Sequence, residues 1–148
     1  MGFRGRFVHT IDNKNRMSLP AGFRQEIMGE DGQAPILTNA NKCLDLYPAG
    51  DWLRFEESIS QIASVDPEAQ DYARMMISGA TECPIDKQGR ILVPPYLREH
   101  AGLTRDVTVA GVGAKIEIWD RSRFEETLTQ SNARYPEMAR SVAEKLGM

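Results

Sequence analysis

A five-residue pattern occurs twice in this chain, as Asp12-Asn13-Lys14-Asn15-Arg16 and as Asp86-Lys87-Gln88-Gly89-Arg90. Isoleucine precedes both copies, and both place a proline four residues after the arginine and a second arginine four residues beyond it. Residues 11–24 therefore align with 85–98 at a constant offset of 74, with identity at Ile, Asp, Arg, Pro and Arg. Leu44-Asp45-Leu46-Tyr47 then aligns with Ile116-Glu117-Ile118-Trp119 at an offset of 72. The chain is a duplicated unit of about 70 residues. Two equal halves that present the same apolar faces are expected to meet about a local two-fold axis, with residues 12–16 and 86–90 close together. A half of this size that exchanges strands cannot close a core alone.

Local patterns fill in the unit. Residues 3–11 are rich in strand formers and partly alternate, and Met17-Ser18-Leu19 reads as a returning strand. Asp12 and Arg16 would then flank a hairpin-like turn in which Asn15, like Gly89 in the second copy, suits left-handed backbone. Pro20 and Pro94 fit the first position of short helices over 20–28 and 94–100. Second hairpins are expected over 35–47, turning near Asn39-Ala40-Asn41, and over 107–119, turning near Gly111-Val112-Gly113. Asp51 is the expected cap of a helix with a Trp52, Phe55, Ile59 and Ile62 stripe. Asp66-Pro67 opens another helix with Tyr72 and Met76 on it. Ser122 is the expected start of its counterpart in the second unit, with Phe124 and Leu128. After Pro136, Met138, Val142 and Leu146 form a last amphipathic segment, suited to core or subunit contact. The boundaries that follow are 1–64 for the first repeat, 65–80 for a helical linker and 81–148 for the second repeat with C-terminal helices.

Charge decides which function classes survive. The net charge is −3, which by itself disfavours a polyanion partner. Its distribution reverses that inference. Residues 1–24 carry Arg4, Arg6, Lys14, Arg16 and Arg24 against Asp12 alone, and residues 85–98 carry Lys87, Arg90 and Arg98 against Asp86. The remainder is acidic, as expected of a local anion-binding face on a soluble body. No apolar run reaches the roughly 18 residues of a membrane helix. Cys43 and Cys83 are forty residues apart and lack metal-ligand spacing, so free thiols in a cytoplasmic protein are expected. Neither a cofactor nor a metal is expected.

Two readings of the Asp-x-x-x-Arg motif stand side by side. In one, Asp12 and Asp86 accept turn amides and pair with their arginines, a purely structural arrangement. In the other, the aspartates shape loops whose remaining side chains project to nucleic acid. Arg16 and Arg90 can grip a guanine edge or phosphate with two bonds. Lys14 and Lys87 suit phosphates. Asn15 and Gln88 can read adenine or can serve the turn. Arg24 and Arg98 can reach the backbone or form a solvated face. Catalysis has little support: His9 and His100 are isolated, and neither a nucleophile elbow nor a phosphate loop occurs.

Phe3-Arg4-Gly5, the paired motifs, Leu19-Pro20 and Ser78-Gly79-Ala80-Thr81-Glu82-Cys83 resemble the MraZ family of bacterial transcriptional regulators. Gly2 departs from that family's usual Met-Phe start. The resemblance implies an α+β fold of tandem AbrB-like swapped hairpins sharing a β-barrel-like core, with peripheral helices. It also implies a non-enzymatic, sequence-specific regulator of its own division and cell-wall gene cluster, cytoplasmic and nucleoid-associated. Its partners would be promoter direct repeats in double-stranded DNA and further copies of itself in a ring. The expected DNA contacts are Arg4, Arg6, Lys14, Asn15, Arg16, Lys87, Gln88, Gly89 and Arg90, with Asp12 and Asp86 structural. Competing classes are a structural ring or adaptor and a small hydrolase.

Overall fold

Apolar alternation produces short strands in each repeat, and these pair largely with strands of the other repeat. The computed structural model describes residues 2–148. The first repeat contributes β1 (Phe3–Thr10), β2 (Arg16–Ser18), α1 (Ala21–Ile27), β3 (Ile36–Asn39), β4 (Leu44–Tyr47), α2 (Ala49–Ala63) and α3 (Pro67–Ser78). The second contributes β5 (Thr81–Glu82), β6 (Arg90–Leu92), α4 (Pro95–Ala101), β7 (Asp106–Gly113), β8 (Lys115–Asp120), α5 (Arg121–Ala133) and α6 (Tyr135–Lys145).

Six strands form one antiparallel sheet in the order β1-β7-β8-β4-β3-β5, and β2 pairs with β6 in a separate ribbon. Exchanging each strand for its counterpart in the other repeat reverses the sheet order onto itself. The registers obey the same operation. Leu44, Asp45 and Leu46 face Ile118, Glu117 and Ile116, while Arg16, Met17 and Ser18 face Leu92, Ile91 and Arg90. A pseudo-two-fold axis therefore runs between Met17 and Ile91 and between Asp45 and Glu117.

The axis explains the shared core. Met17, Leu19, Leu37, Leu44, Leu46, Ile91, Val93, Leu97, Val107, Ile116 and Ile118 are essentially sealed from solvent in one cluster drawn from both repeats. Each such side chain stabilises the fold by about 1.5–3 kcal/mol relative to exposure. Trp119, Phe124, Cys43 and Ala110 form a smaller cluster on the opposite face, with Leu128 against it.

Several expectations need correction. The sheet ends at β1 and β5 and is open, not a closed barrel. The 12–16 connection is hairpin-like only at its base, where Ile11 bridges Met17 antiparallel; beyond it β1 and β2 find their ladder partners across the axis. Pro20 and Pro94 lie just outside their helices, with extended ψ of 139° and 147°, and their carbonyls accept the first turn's amides. Pro48 precedes α2, so Asp51 is not its cap and instead pairs with Arg54 in the first turn. Asp120, not Ser122, caps α5 by accepting from the Arg123 amide. Asp66 does cap α3, accepting from the Glu68 amide at 3.0 Å.

The β7–β8 turn is at Gly113-Ala114, beyond the expected site, because Val112 still pairs with Lys115. Gly111 has another purpose there. A Cβ on it would strike the β1 backbone at Phe3 and Arg4. Trp52 and Ile59 of the α2 stripe are buried, but Ile62 is exposed. Val142 on α6 and Leu146 at its C-terminal cap are also exposed, so that stripe is not part of this chain's core.

Candidate nucleic-acid interface

Each motif loop is folded by its own aspartate. Asp12 Oδ1 accepts the amides of Lys14 and Arg16, both at 2.9 Å, and its Oδ2 accepts Arg16 Nε at 3.0 Å. Asp86 repeats the arrangement, with the amides of Gln88 at 2.8 Å and Arg90 at 2.9 Å and Arg90 Nε at 3.1 Å. Main-chain bonds close both loops, Asp12 to Arg16 and Asp86 to Arg90, each at 2.9 Å. The amide donors, foremost those of Arg16 and Arg90, hold both carboxyls below the ordinary aspartate range.

The fifth donor of the guanidinium is spent on the loop, and the other four are not. Among the described residues, Nη1 and Nη2 of Arg16 and Arg90 have no protein hydrogen-bond partner. Their Nε atoms fix the fork, so the Nη pair is presented at the surface in a set orientation. Such a fork can engage a phosphate or the guanine edge with two bonds.

The loops also hold each other. Leu19 donates its amide to the Gly89 carbonyl at 3.0 Å, and Val93 donates to the Asn15 carbonyl at 2.8 Å. These two bonds are related by the pseudo-dyad. Asn15 and Gly89 occupy equivalent positions and share left-handed backbone, with φ of 65° and 78°. Gly89 is buried, and a side chain there would run into the Arg24 guanidinium. It turns the loop and is set back behind the exposed Lys87 and Gln88.

Arg24 and Arg98 are the residues whose roles could not be separated by sequence. Both are braces. Arg98 Nη1 donates to the Asp12 carbonyl at 2.7 Å and to Asn15 Oδ1 at 2.9 Å, while its Nε and Nη2 hold the Leu103 and Thr104 carbonyls. Arg24 Nε donates to the Leu19 carbonyl at 2.8 Å and lies against Gly89. Burial, and then the Arg24 charge, push the nearby His9 below its ordinary value. The signal for both braces was their fixed place after the proline in each copy.

The duplication has a counterpart in a comparison with known families. Two consecutive stretches, residues 3–75 and 76–143, match the family model described as "MraZ protein, putative antitoxin-like". This chain belongs to the MraZ family. Among its MraZ relatives, the "Transcriptional regulator MraZ" of Solidesulfovibrio magneticus is 44% identical over 135 residues, covering 90% of this chain and 89% of that protein. The Heliobacterium modesticaldum protein of the same name is 41% identical and covers 97% and 96%. That of Moorella thermoacetica is 38% identical and covers 96% and 97%.

Within this MraZ chain, the expected contact residues separate into groups. Lys14, Lys87 and Gln88 are exposed at the loop tips, with Arg16 and Arg90 half-buried behind them. The loop register aligns Lys14 with Gln88 and Asn13 with Lys87, so the two tips carry one lysine each at different positions. Asn13, exposed beside them, belongs to the same surface. Asn15 has its oxygen committed to Arg98. Arg4 and Arg6 are exposed on β1, and Arg6 is six residues back from Asp12, roughly 20 Å along an extended strand. Arg6 lies 5.8 Å from the Phe124 ring centroid, a cation–π arrangement on the α5 side. No helix among the described residues is long and apolar enough to cross a membrane.

Proposed function

We propose that this chain is a sequence-specific DNA-binding transcriptional regulator that contacts DNA through loops 12–16 and 86–90. The observation that carries the reading is the paired, oriented Nη forks of Arg16 and Arg90 on two loops braced against each other. The relatives are named as transcriptional regulators, which supports the same class. Lys14 and Lys87 supply phosphate contacts, Arg16, Arg90 and Gln88 face the bases, and Asp12, Asp86, Asn15 and Gly89 hold the loops. Arg4 and Arg6 stand apart from this surface, and the proposal does not require them. Nothing in the motif supplies a nucleophile beside the aspartates, so no enzymatic role is proposed. Repeats 1–64 and 81–148 interleave their strands, the linker 65–80 carries α3 between them, and the protein acts in the cytoplasm at the nucleoid.

One chain offers two short loops, too few contacts for specific affinities of around 10⁻⁸–10⁻¹¹ M. We therefore propose that several copies, related by rotation in a ring, present their loops head-to-tail to direct repeats upstream of the division and cell-wall genes. Repeat centres should then lie about 10–10.5 base pairs apart. Footprinting on the gene's own upstream DNA tests this. Inserting half a helical turn between two repeats should abolish the gain from the second, and a full turn should restore part of it. Binding that ignores spacing would contradict assembly-dependent recognition.

A further inference from the structure

The pseudo-dyad that joins the loops also builds a second, polar site on the far side of the sheet. Asp45 and Glu117 are equivalent residues that face each other in the central β4–β8 ladder. Two residues before each, at equivalent positions, stand Cys43 and Lys115. Two residues after each stand Tyr47 and Trp119, whose OH and Nε1 donate to Asp45 at 3.4 Å and to Glu117 at 2.9 Å. Duplication has thus placed two carboxylates, a thiol and an ammonium side by side. A cavity of about 550 Å³ opens onto them, lined also by Tyr72, Met76 and His100.

The polar groups are not fully matched. Lys115 Nζ lies 2.9 Å from Asp45 Oδ2 and 3.6 Å from Glu117 Oε2. Asp45 is 2% exposed, yet its Oδ1 is buried without a hydrogen-bond partner among the described residues. An unmatched carboxylate oxygen in such a place costs about 1–3 kcal/mol or more. It calls for a donor or a cation. Two carboxylates also exceed the single positive charge of Lys115.

We infer that Cys43, Asp45 and Glu117 form a binding site for one thiophilic divalent cation of the zinc type, coordinated across the pseudo-dyad. Their ligand atoms already lie within 4.8 Å of one another. Zinc bonds of about 2.3 Å to sulfur and 2.0–2.2 Å to oxygen bring tetrahedral ligands to roughly 3.4–3.8 Å apart. Rotation of the Cys43 and Glu117 side chains covers the difference. A thiolate beside two carboxylates selects zinc or cobalt over magnesium or calcium, which prefer all-oxygen sites.

The charges balance on binding. Cys43 releases its proton to solvent, and the thiolate and two carboxylates then offset the dication and Lys115. Lys115 keeps its bond to Asp45 Oδ2 while Oδ1 turns to the metal, and the cavity leaves a fourth position for water. His100 Nε2 is held by the Ala40 carbonyl at 2.7 Å, and His100 is outside the cluster of ligand atoms. Bound metal would tie the first repeat to the second without touching the loops, so the inference stands apart from the DNA reading.

Cobalt titration of the metal-free, reduced, full-length protein tests it. The expected result is saturable uptake of one Co²⁺ with a thiolate-to-cobalt charge-transfer absorption, and a thermal midpoint raised by Zn²⁺. Cys43→Ser should lose the absorption and the midpoint shift. Cys83→Ser, at a buried free thiol outside the ligand cluster, should keep both. Glu117→Gln should weaken uptake at least about tenfold, and being at a partly exposed side chain it carries the test if Cys43→Ser fails to fold. Absence of the absorption in the unaltered protein, its survival in Cys43→Ser, or its loss in Cys83→Ser would overturn the assignment.

Discussion

Arg98 Nη1 is 2.7 Å from the main-chain carbonyl of Asp12, so a helix of the second repeat holds the motif loop of the first. The same atom holds Asn15 Oδ1, and the guanidinium bridges to the turn after α4 through Leu103 and Thr104. Arg98→Ala should lower unfolding stability by about 2–3 kcal/mol, since removing the charged donor leaves several carbonyls unmatched. Arg98→Lys should recover only part, because lysine has no planar fork. Urea denaturation reads both.

Gly89 is fixed by backbone and by space. Its φ of 78° disfavours any Cβ, and Arg24 occupies the position where that Cβ would go. Gly89→Ala should cost about 1–2 kcal/mol from the left-handed backbone, and more from displacing Arg24. Asn15→Gly, at the equivalent site, should be milder in backbone terms but remove the bond to Arg98. Thermal melts of the two variants should rank them in that order.

Interleaved strands make the halves interdependent. β1 pairs with β7, β2 with β6, β3 with β5 and β4 with β8, so in a fragment of residues 1–75 each of the four strands loses a partner. Such a fragment is expected to show no cooperative unfolding transition by circular dichroism. Adding a fragment of residues 76–148 should restore one.

Acid should destabilise the fold in two stages. His9 has a folded pKa below its ordinary value of 6.5, so the unfolded chain takes the proton first and stability falls as pH drops below about that value. Asp12 and Asp86 have folded values below the ordinary 3.8. Their contribution is complete above that value and is lost as pH falls through the folded pKa. His9→Gln should remove the upper stage and leave the lower one, as read from denaturation midpoints across pH.

Much of this was legible in the sequence because the duplication repeats its physics. The motif loops, the left-handed positions at 15 and 89, and the pairing of both halves all follow from residues at constant offsets. The strand partners did not. Asp12 and Arg16 look like the ends of a hairpin, but a local turn with its own aspartate clamp closes equally well when each strand pairs across the axis. Helix starts at Pro48 and Asp120 were missed because Asp51 and Ser122 are equally good caps on local chemistry. Arg24 and Arg98 look solvated in one dimension, since the carbonyls they brace come from loops elsewhere. Cys43 lacks ligand spacing for the same reason: its companion Glu117 is supplied by the other repeat.

The most direct test of the loop assignment compares Arg16→Ala, Arg90→Ala and the double variant with the unaltered protein on its own upstream DNA across a salt series. Removing each arginine should cost about 1–3 kcal/mol of specific binding, with circular dichroism and melting little changed. Lys14→Ala should weaken all sequences alike and flatten the salt slope by about one for each phosphate it no longer neutralises. Specific affinity that survives the double arginine variant in a folded protein would contradict the account.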